Sequence, residues 1–194
     1  LMMISIIANF YKSEKYIPKL IDSVLEQNYT DWELVCVNDC SPGNDLEILR
    51  KYAAKDSRIR IVNNKVNLGI SKAKYRGIQE SKGTYLCFID GDDWLEPEAL
   101  HRMIDPALKY DLDFVCMDTQ KVLPFFGHKV PFCVDKKYKE RVIEIDTEKG
   151  EGRKNFEELY RNFFGKNIFM VTYWGKLIKK KLIEESGFSP PDSV

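Results

Sequence analysis

The sequence predicts an α/β fold: a mostly parallel, Rossmann-like sheet flanked by helices, with a smaller mixed region at its carboxyl end. Over the first 118 residues, short apolar runs of strand length alternate with helical patterns through five strand-like runs. The runs are apolar throughout rather than alternating, as expected of strands covered on both faces. The residues just after each run are polar, acidic or aromatic, and sheets of this kind hold their ligands beyond the carboxyl ends of the strands.

The first strand is expected over residues 4–8, followed by a helix on which Ile17, Leu20, Ile21, Val24 and Leu25 recur at spacings of three and four. A second strand at 33–38 precedes a helix faced by Leu46, Leu49, Tyr52 and Ala53. A third at 59–63 leads to a smaller helical face of Ala73, Gly77, Ile78 and Ser81. The fourth, at 84–89, leads to a helix opening at Pro97, whose missing N–H costs nothing in a first turn; Pro106 should end or kink it. A fifth run at 113–117 completes the parallel sheet. Beyond Gln120 the pattern breaks into short pieces, with a helix expected around 156–164 and a last run over 177–185.

Composition narrows the function classes. The chain has 194 residues and is 44% hydrophobic, so disorder, collagen and disulfide scaffolds are excluded and a core forms without metal staples. No apolar run approaches the roughly 20 residues that span a bilayer, and residues 1–8 lack the basic region of a signal peptide. Thirty Lys plus Arg balance thirty Asp plus Glu, which argues against nucleic acid as a partner. The balance hides an asymmetry, since residues 1–118 carry 15 basic and 19 acidic groups against 15 and 11 in 119–194. The run Lys179, Lys180, Lys181 is expected as a solvated helix face in preference to a membrane-surface contact. Five cysteines with no CxxC pair fit a reducing, cytoplasmic compartment.

The strongest chemical signal is three carboxylates in four residues, Asp90, Asp92 and Asp93, directly after the fourth strand. Like charges this close repel and raise one another's pKa unless a cation neutralises them. Hard oxygen ligands with room for phosphate oxygens describe a Mg²⁺ or Mn²⁺ site that holds a nucleotide diphosphate. Gly91 lets the backbone turn and approach a ligand. The competing reading is an acidic turn that caps the following helix. Asp39, after the second strand, has the chemistry to accept a nucleobase N–H, or to form an Asx-turn onto Ser41. Tyr11, after the first, offers a ring for stacking, or is a half-buried aromatic. No GxGxxG, GxxxxGK[ST] or GxSxG is present, and the two histidines, His101 and His128, do not supply a Ser–His or Zn–His mechanism.

Read in order, residues 5–17 (SIIANFYKSEKYI), 23–29 (SVLEQNY), 32–41 (WELVCVNDCS), 67–69 (NLG) and 83–94 (GTYLCFIDGDDW), with Pro97, resemble the family 2 glycosyltransferases of GT-A fold over about 115 residues. Residues 173–188 (YWGKLIKKKLIEESGF) look like the family's later, acceptor-side segment. The resemblance implies a nucleotide-sugar-binding domain at 1–118 and an acceptor-side region at 119–194. It implies inverting, metal-dependent transfer of a sugar from a nucleotide-diphosphate donor, most readily a UDP-sugar, to an acceptor hydroxyl in cell-surface polysaccharide synthesis.

Carried over residue by residue, Tyr11 packs on the base and Asp39 hydrogen-bonds it, with Asn67 and Gly91 also on the donor side. Asp90 faces the ribose or the Mg²⁺ or Mn²⁺, which Asp92 ligates directly. Lys74 stands where the family has arginine and supplies a point charge near the diphosphate. Asp93, Trp94 and Trp174 fall on the sugar and acceptor side. A carbohydrate or lipid-linked acceptor is implied, at the inner face of a membrane in some relatives, and the general base is expected beyond Val194. Asn9 stands where proline is usual, Lys12 where asparagine is usual and Cys40 where glycine is common. The alternatives are a degenerate nucleotide-binding module without turnover, and a metal-dependent phosphohydrolase or nucleotidyltransferase. Phosphohydrolases of that type usually place their nucleophilic Asp after the first strand, where this chain has Asn9.

Overall fold

The computed structural model describes residues 2–116, 119–122, 129–132, 175–185, 187 and 189–190. The elements run β1 (Ile4–Phe10), α1 (Ile17–Leu25), β2 (Trp32–Asn38), α2 (Asp45–Ala53), β3 (Ile59–Asn63), α3 (Ile70–Glu80), β4 (Tyr85–Asp90), α4 (Ala99–Lys109), β5 (Phe114–Cys116), β6 (Thr119–Val122), β7 (Lys129–Phe132), β8 (Lys176–Lys179) and α5 (Lys180–Glu185). Two compact units form, one from Leu1–Cys116 with Tyr173–Val194 and the other from Met117–Thr172. In the second, β6 and β7 pair antiparallel with Thr119 opposite Phe132.

The first unit carries a six-stranded sheet ordered β3-β2-β1-β4-β8-β5. β1 to β4 are mutually parallel, as the apolar runs imply. All seven residues of β2 and six of seven in β1 are buried, which requires cover on both faces. The sheet is mostly parallel, and its one antiparallel strand comes from the carboxyl-terminal part of the chain. β8 inserts between β4 and β5 and runs antiparallel to both, with Leu86 opposite Ile178 and Phe114 opposite Ile178 on the other side. The last run is therefore a strand followed by a short helix. Lys179 ends β8 and pairs with Asp111 at 3.0 Å and Asp113 at 2.9 Å, while Lys180 donates to the Ser81 carbonyl, so the expected single solvated helix face does not form.

The helices bury most of the α1 and α3 faces read from periodicity, whereas of the α2 face only Leu49 is fully buried and Leu25 of α1 is exposed. Ile17, Leu20, Ile21 and Val24 of α1 are buried, and burying each such side chain stabilises the fold by roughly 1.5–3 kcal/mol. In α3, Ala73 and Ile78 pack on Ile7, Val35, Val37 and Phe88. Gly77 permits this close approach, because a Cβ there would lie 2.4 Å from Cγ2 of Ile7. α4 opens at Ala99 rather than Pro97, since Glu98 takes a left-handed φ of +64° that interrupts the helical dihedrals. Pro106 sits inside α4 instead of ending it. The donor it lacks would have met the carbonyl of Arg102, an exposed residue that water reaches, while Met103, Ile104 and Ala107 stay buried on the other side.

At the amino ends of the strands Glu33 is buried and accepts from Ser5 Oγ at 2.6 Å, Arg60 Nη1 at 2.8 Å and the Lys82 N–H. Burial pushes its pKa up, but these donors outweigh it and hold the carboxyl below its usual range. This network braces the end of the sheet opposite the one described next. Among the described residues no helix is long and apolar enough to cross a membrane.

Candidate functional site

Register brings three loops side by side. Asn9 of β1 lies opposite Asp90 of β4, and Phe10 lies opposite Asn38 of β2. Tyr11, Asp39 and the segment from Asp90 to Asp93 thus leave the sheet from neighbouring strands at the same edge. The sequence separates these residues by up to 82 positions; the parallel pairing unites them.

Tyr11 is 44% exposed, so its ring is open to a stacking partner, with Lys12 Nζ 5.2 Å from its centroid. The loop that carries it is tied to the next one: the Lys12 N–H donates to Ser41 Oγ at 2.9 Å, and the Ser13 N–H to Asp45 Oδ2 at 2.9 Å. Lys12 and Cys40 both take a φ of +56°. These are two of the positions where the family resemblance expects asparagine and glycine, the residues that tolerate left-handed backbone.

Asp39 is buried, and the bonds of its carboxylate go to the 64–69 loop rather than to Ser41. Oδ1 accepts from Asn64 Nδ2 at 2.8 Å and the Leu68 N–H at 2.9 Å, and Oδ2 accepts from the Gly69 N–H at 2.9 Å. The Asx-turn onto Ser41 is replaced by a clamp on the loop that enters α3. Asn67 Oδ1 shares the Gly69 N–H at 3.0 Å. Nearby, the side-chain carbonyls of Asn9, Asn38 and Asn64 are buried and accept no hydrogen bond from another described residue.

Asp90, Gly91, Asp92 and Asp93 form the turn after β4. A capping role for this acidic turn is corrected, because α4 begins only at Ala99 and no side chain caps it. Gly91 is buried against Asn9, whose carbonyl oxygen would lie 2.4 Å from a Cβ at that position. Lys74, on the buried face of α3, places Nζ 2.7 Å from Asp90 Oδ1. Asp92 is exposed. Asp93 is half-buried, and its pKa is pushed up to about 6 by burial first and then by the carboxylates of Asp92 and Asp90, against the opposing charge of Lys74.

Trp94 follows, with Lys19 Nζ of α1 3.1 Å from its ring centroid. Beside it runs a shallow groove of about 500 Å³ lined by Lys19, Asp22, Ser23, Glu26, Trp94 and Glu96 among others. Trp174, His128 and the expected helix at 156–164 lie outside the described residues. His101 is exposed on α4 and faces Asp105 at 3.1 Å, a surface pair.

The donor set suits a small hard cation. Asp92 offers an exposed carboxylate, and Asp90 adds a second that it shares with an ammonium; one or two carboxylates with diphosphate oxygens is the usual setting of Mg²⁺. Among the described residues no group of three or more His, Cys, Asp or Glu side chains is placed to hold a metal by itself. Asn64, Ser13 and Asp45 were not singled out by sequence reasoning. Their partners lie 25 to 32 residues away, and no local pattern marks such pairs.

The profile of glycosyl transferase family 2 matches residues 5–187. A putative teichuronic acid biosynthesis glycosyltransferase, TuaG of Bacillus subtilis, is 31% identical over 103 residues, covering 53% of this chain and 41% of that one. The structure is similar to that of Staphylococcus aureus TarS residues 1–349 in complex with UDP-GlcNAc, with a TM-score of 0.74, 22% identity and coverage of 98% of this chain and 49% of the other. It is also similar to the mannosyltransferase PcManGT of Pyrobaculum calidifontis in complex with GDP-Man and Mn²⁺, with a TM-score of 0.66, 15% identity and coverage of 96% and 47%. The chain covers less than two thirds of the length of the curated relatives it matches, 25% of one and 49% of another.

Proposed function

Since the chain belongs to glycosyl transferase family 2, we propose that it binds a UDP-sugar with Mg²⁺ or Mn²⁺ and carries out inverting transfer of the sugar to a carbohydrate or lipid-linked acceptor. The observation that carries this reading is the convergence of Tyr11, Asp39 and the turn from Asp90 to Asp93 at one sheet edge. The GT-A fold and the UDP-GlcNAc complex of TarS support it, and the similarity to TuaG supports a place in cell-surface polysaccharide synthesis.

The exposed ring of Tyr11 stacks on the base. Asp39 contributes in two ways, facing the base N–H and holding the loop of Asn67 and Gly69 in place, while the buried carbonyls of Asn9 and Asn64 add acceptors beside it. Asp90 and Asp92 hold the cation, which supplies charge neutralisation for the departing diphosphate. Lys74 adds a second positive charge there. Asp93, with its raised pKa, and Trp94 face the sugar and the acceptor; an acceptor-side role for Trp174 rests on the family resemblance of its segment. Gly91 gives the donor its close backbone approach.

The test is a calorimetric titration of UDP into the protein with and without Mn²⁺, repeated on Asp92→Ala. Metal-dependent binding that disappears in the variant is the expected result. Absence of binding by UDP, GDP and dTDP alike, with Mn²⁺ present, overturns the proposal.

A further inference from the structure

We infer that Lys74 is an internal counter-cation that competes with the divalent cation for Asp90, so that metal and nucleotide diphosphate bind cooperatively, each weakly in the absence of the other. The inference rests on the donor-site reading above and concerns how that site is regulated.

The geometry is specific. The Lys74 side chain is only 6% exposed and its ammonium lies 2.7 Å from Asp90 Oδ1. A buried ammonium is costly unless anions accompany it, so drawing Asp90 toward a metal removes part of the compensation of Lys74, which an incoming anion restores. Lys74 sits in the second turn of α3, and the Asp39 clamp holds Leu68 and Gly69 just before that helix, so the entry to it is pinned. The side chain, a point charge on a flexible four-carbon stem, is the part that moves.

Two consequences follow from charge alone. A divalent cation that approaches Asp90 and Asp92 meets a monovalent cation already on one of its ligands, and the two repel across a few ångströms in a site of reduced dielectric. A diphosphate that approaches without metal meets Asp90, Asp92 and Asp93 clustered in four residues, and is repelled in turn. When both arrive, the metal takes the carboxylates and the diphosphate offers Lys74 anionic oxygens in exchange for Asp90. Each ligand therefore removes the obstacle to the other, and linkage requires the effect to be equal in both directions.

The test reads Mn²⁺ binding directly, by the loss of the free-ion electron paramagnetic resonance signal, and needs no turnover. In the wild type, saturating UDP should tighten Mn²⁺ binding by about tenfold or more. Lys74→Met, which keeps the stem and removes the charge, should bind Mn²⁺ alone about tenfold tighter than the wild type and lose most of the gain from UDP. Lys74→Arg should keep the coupling. Mn²⁺ affinity in Lys74→Met that is no tighter than in the wild type, or coupling that survives undiminished, overturns the inference. Should Lys74→Met not fold, Asp90→Asn removes the contested carboxylate from the other side, and full coupling in that variant refutes the competition equally. Failure of the wild type to bind any nucleotide refutes the donor reading instead, and the comparison of Mn²⁺ alone on wild type and Lys74→Met still decides whether Lys74 competes.

Discussion

The Asp39 carboxylate accepts the backbone N–H of Gly69 at 2.9 Å, joining the tip of β2 to the entry of α3 across 30 residues of chain. With the bonds from Asn64 and Leu68, this makes a side chain expected to read a nucleobase into a structural clamp as well. Asp39→Ala is expected to lower stability by about 2–4 kcal/mol, since hydrogen bonds to a charged acceptor contribute ~1.5–3 kcal/mol each and their buried donors are left unpaired. Asp39→Asn, which keeps one acceptor oxygen, should lose less. Urea denaturation without ligand isolates this role, because a side chain that served only the base would leave the midpoint unchanged.

Gly91 tolerates no side chain. A Cβ would lie 2.4 Å from the Asn9 carbonyl oxygen and 3.0 Å from Ser13 Oγ, and the first of these is backbone that cannot step aside. Gly91→Ala should cost about 1–3 kcal/mol as an overpacking substitution. Because the strain falls on the turn that carries Asp90 and Asp92, metal-dependent nucleotide affinity should fall as well. Calorimetry and denaturation on the same preparation check both effects, and a variant as stable as the wild type would contradict the stated crowding.

Cys40 holds a φ of +56°, where a non-glycine residue pays roughly 1–2 kcal/mol. Cys40→Gly relieves that strain but gives up the Sγ–H donated to the Lys65 carbonyl at 3.4 Å and adds freedom to the unfolded chain. The expected net effect is a gain of up to ~1 kcal/mol, whereas Cys40→Val, branched at Cβ, should lose ~1–2 kcal/mol. The order Gly above Cys above Val in urea midpoint is the prediction.

Asp93 has its pKa raised from the usual 3.8 to about 6, by burial and by Asp92 and Asp90. The folded protein therefore binds this proton more tightly than the unfolded chain. The stabilisation is fully present below about pH 4 and is lost as pH rises through about 6. Asp93→Asn stays neutral, so its stability relative to the wild type should increase from pH 4 to pH 7, by an amount that solvent screening at this half-buried position keeps modest. Denaturation curves of both proteins at four pH values across that range provide the check; a constant difference would show that Asp93 titrates normally.

Much of the fold is legible along the chain because periodicity is a local property. Ile17, Leu20, Ile21 and Val24 mark a buried helix face whatever lies beyond it, and the apolar runs of β1 to β4 announce burial on both faces. The acidic turn is legible for the same reason: three carboxylates after a buried strand are a local statement about charge. The limits are equally physical. Pro97 favours a helix start, but one left-handed residue, Glu98, moved the start to Ala99. Pro106 disfavours helix, yet the buried Met103, Ile104 and Ala107 around it outweigh one missing hydrogen bond to the carbonyl of Arg102, an exposed residue.

The sequence by itself determined the order of the first five strands and four helices, most of the faces they bury, and the chemical character of the loops at the carboxyl ends of the strands. Tertiary structure alone decided which residues meet. The place of β8 between β4 and β5, the grip of Asp39 on the 64–69 loop, and the pairing of Lys74 with Asp90 each join parts of the chain 16 or more residues apart. Such pairings are settled by the competition of all burial and hydrogen-bonding opportunities at once, and a window that reads only neighbouring residues does not contain the partners that compete.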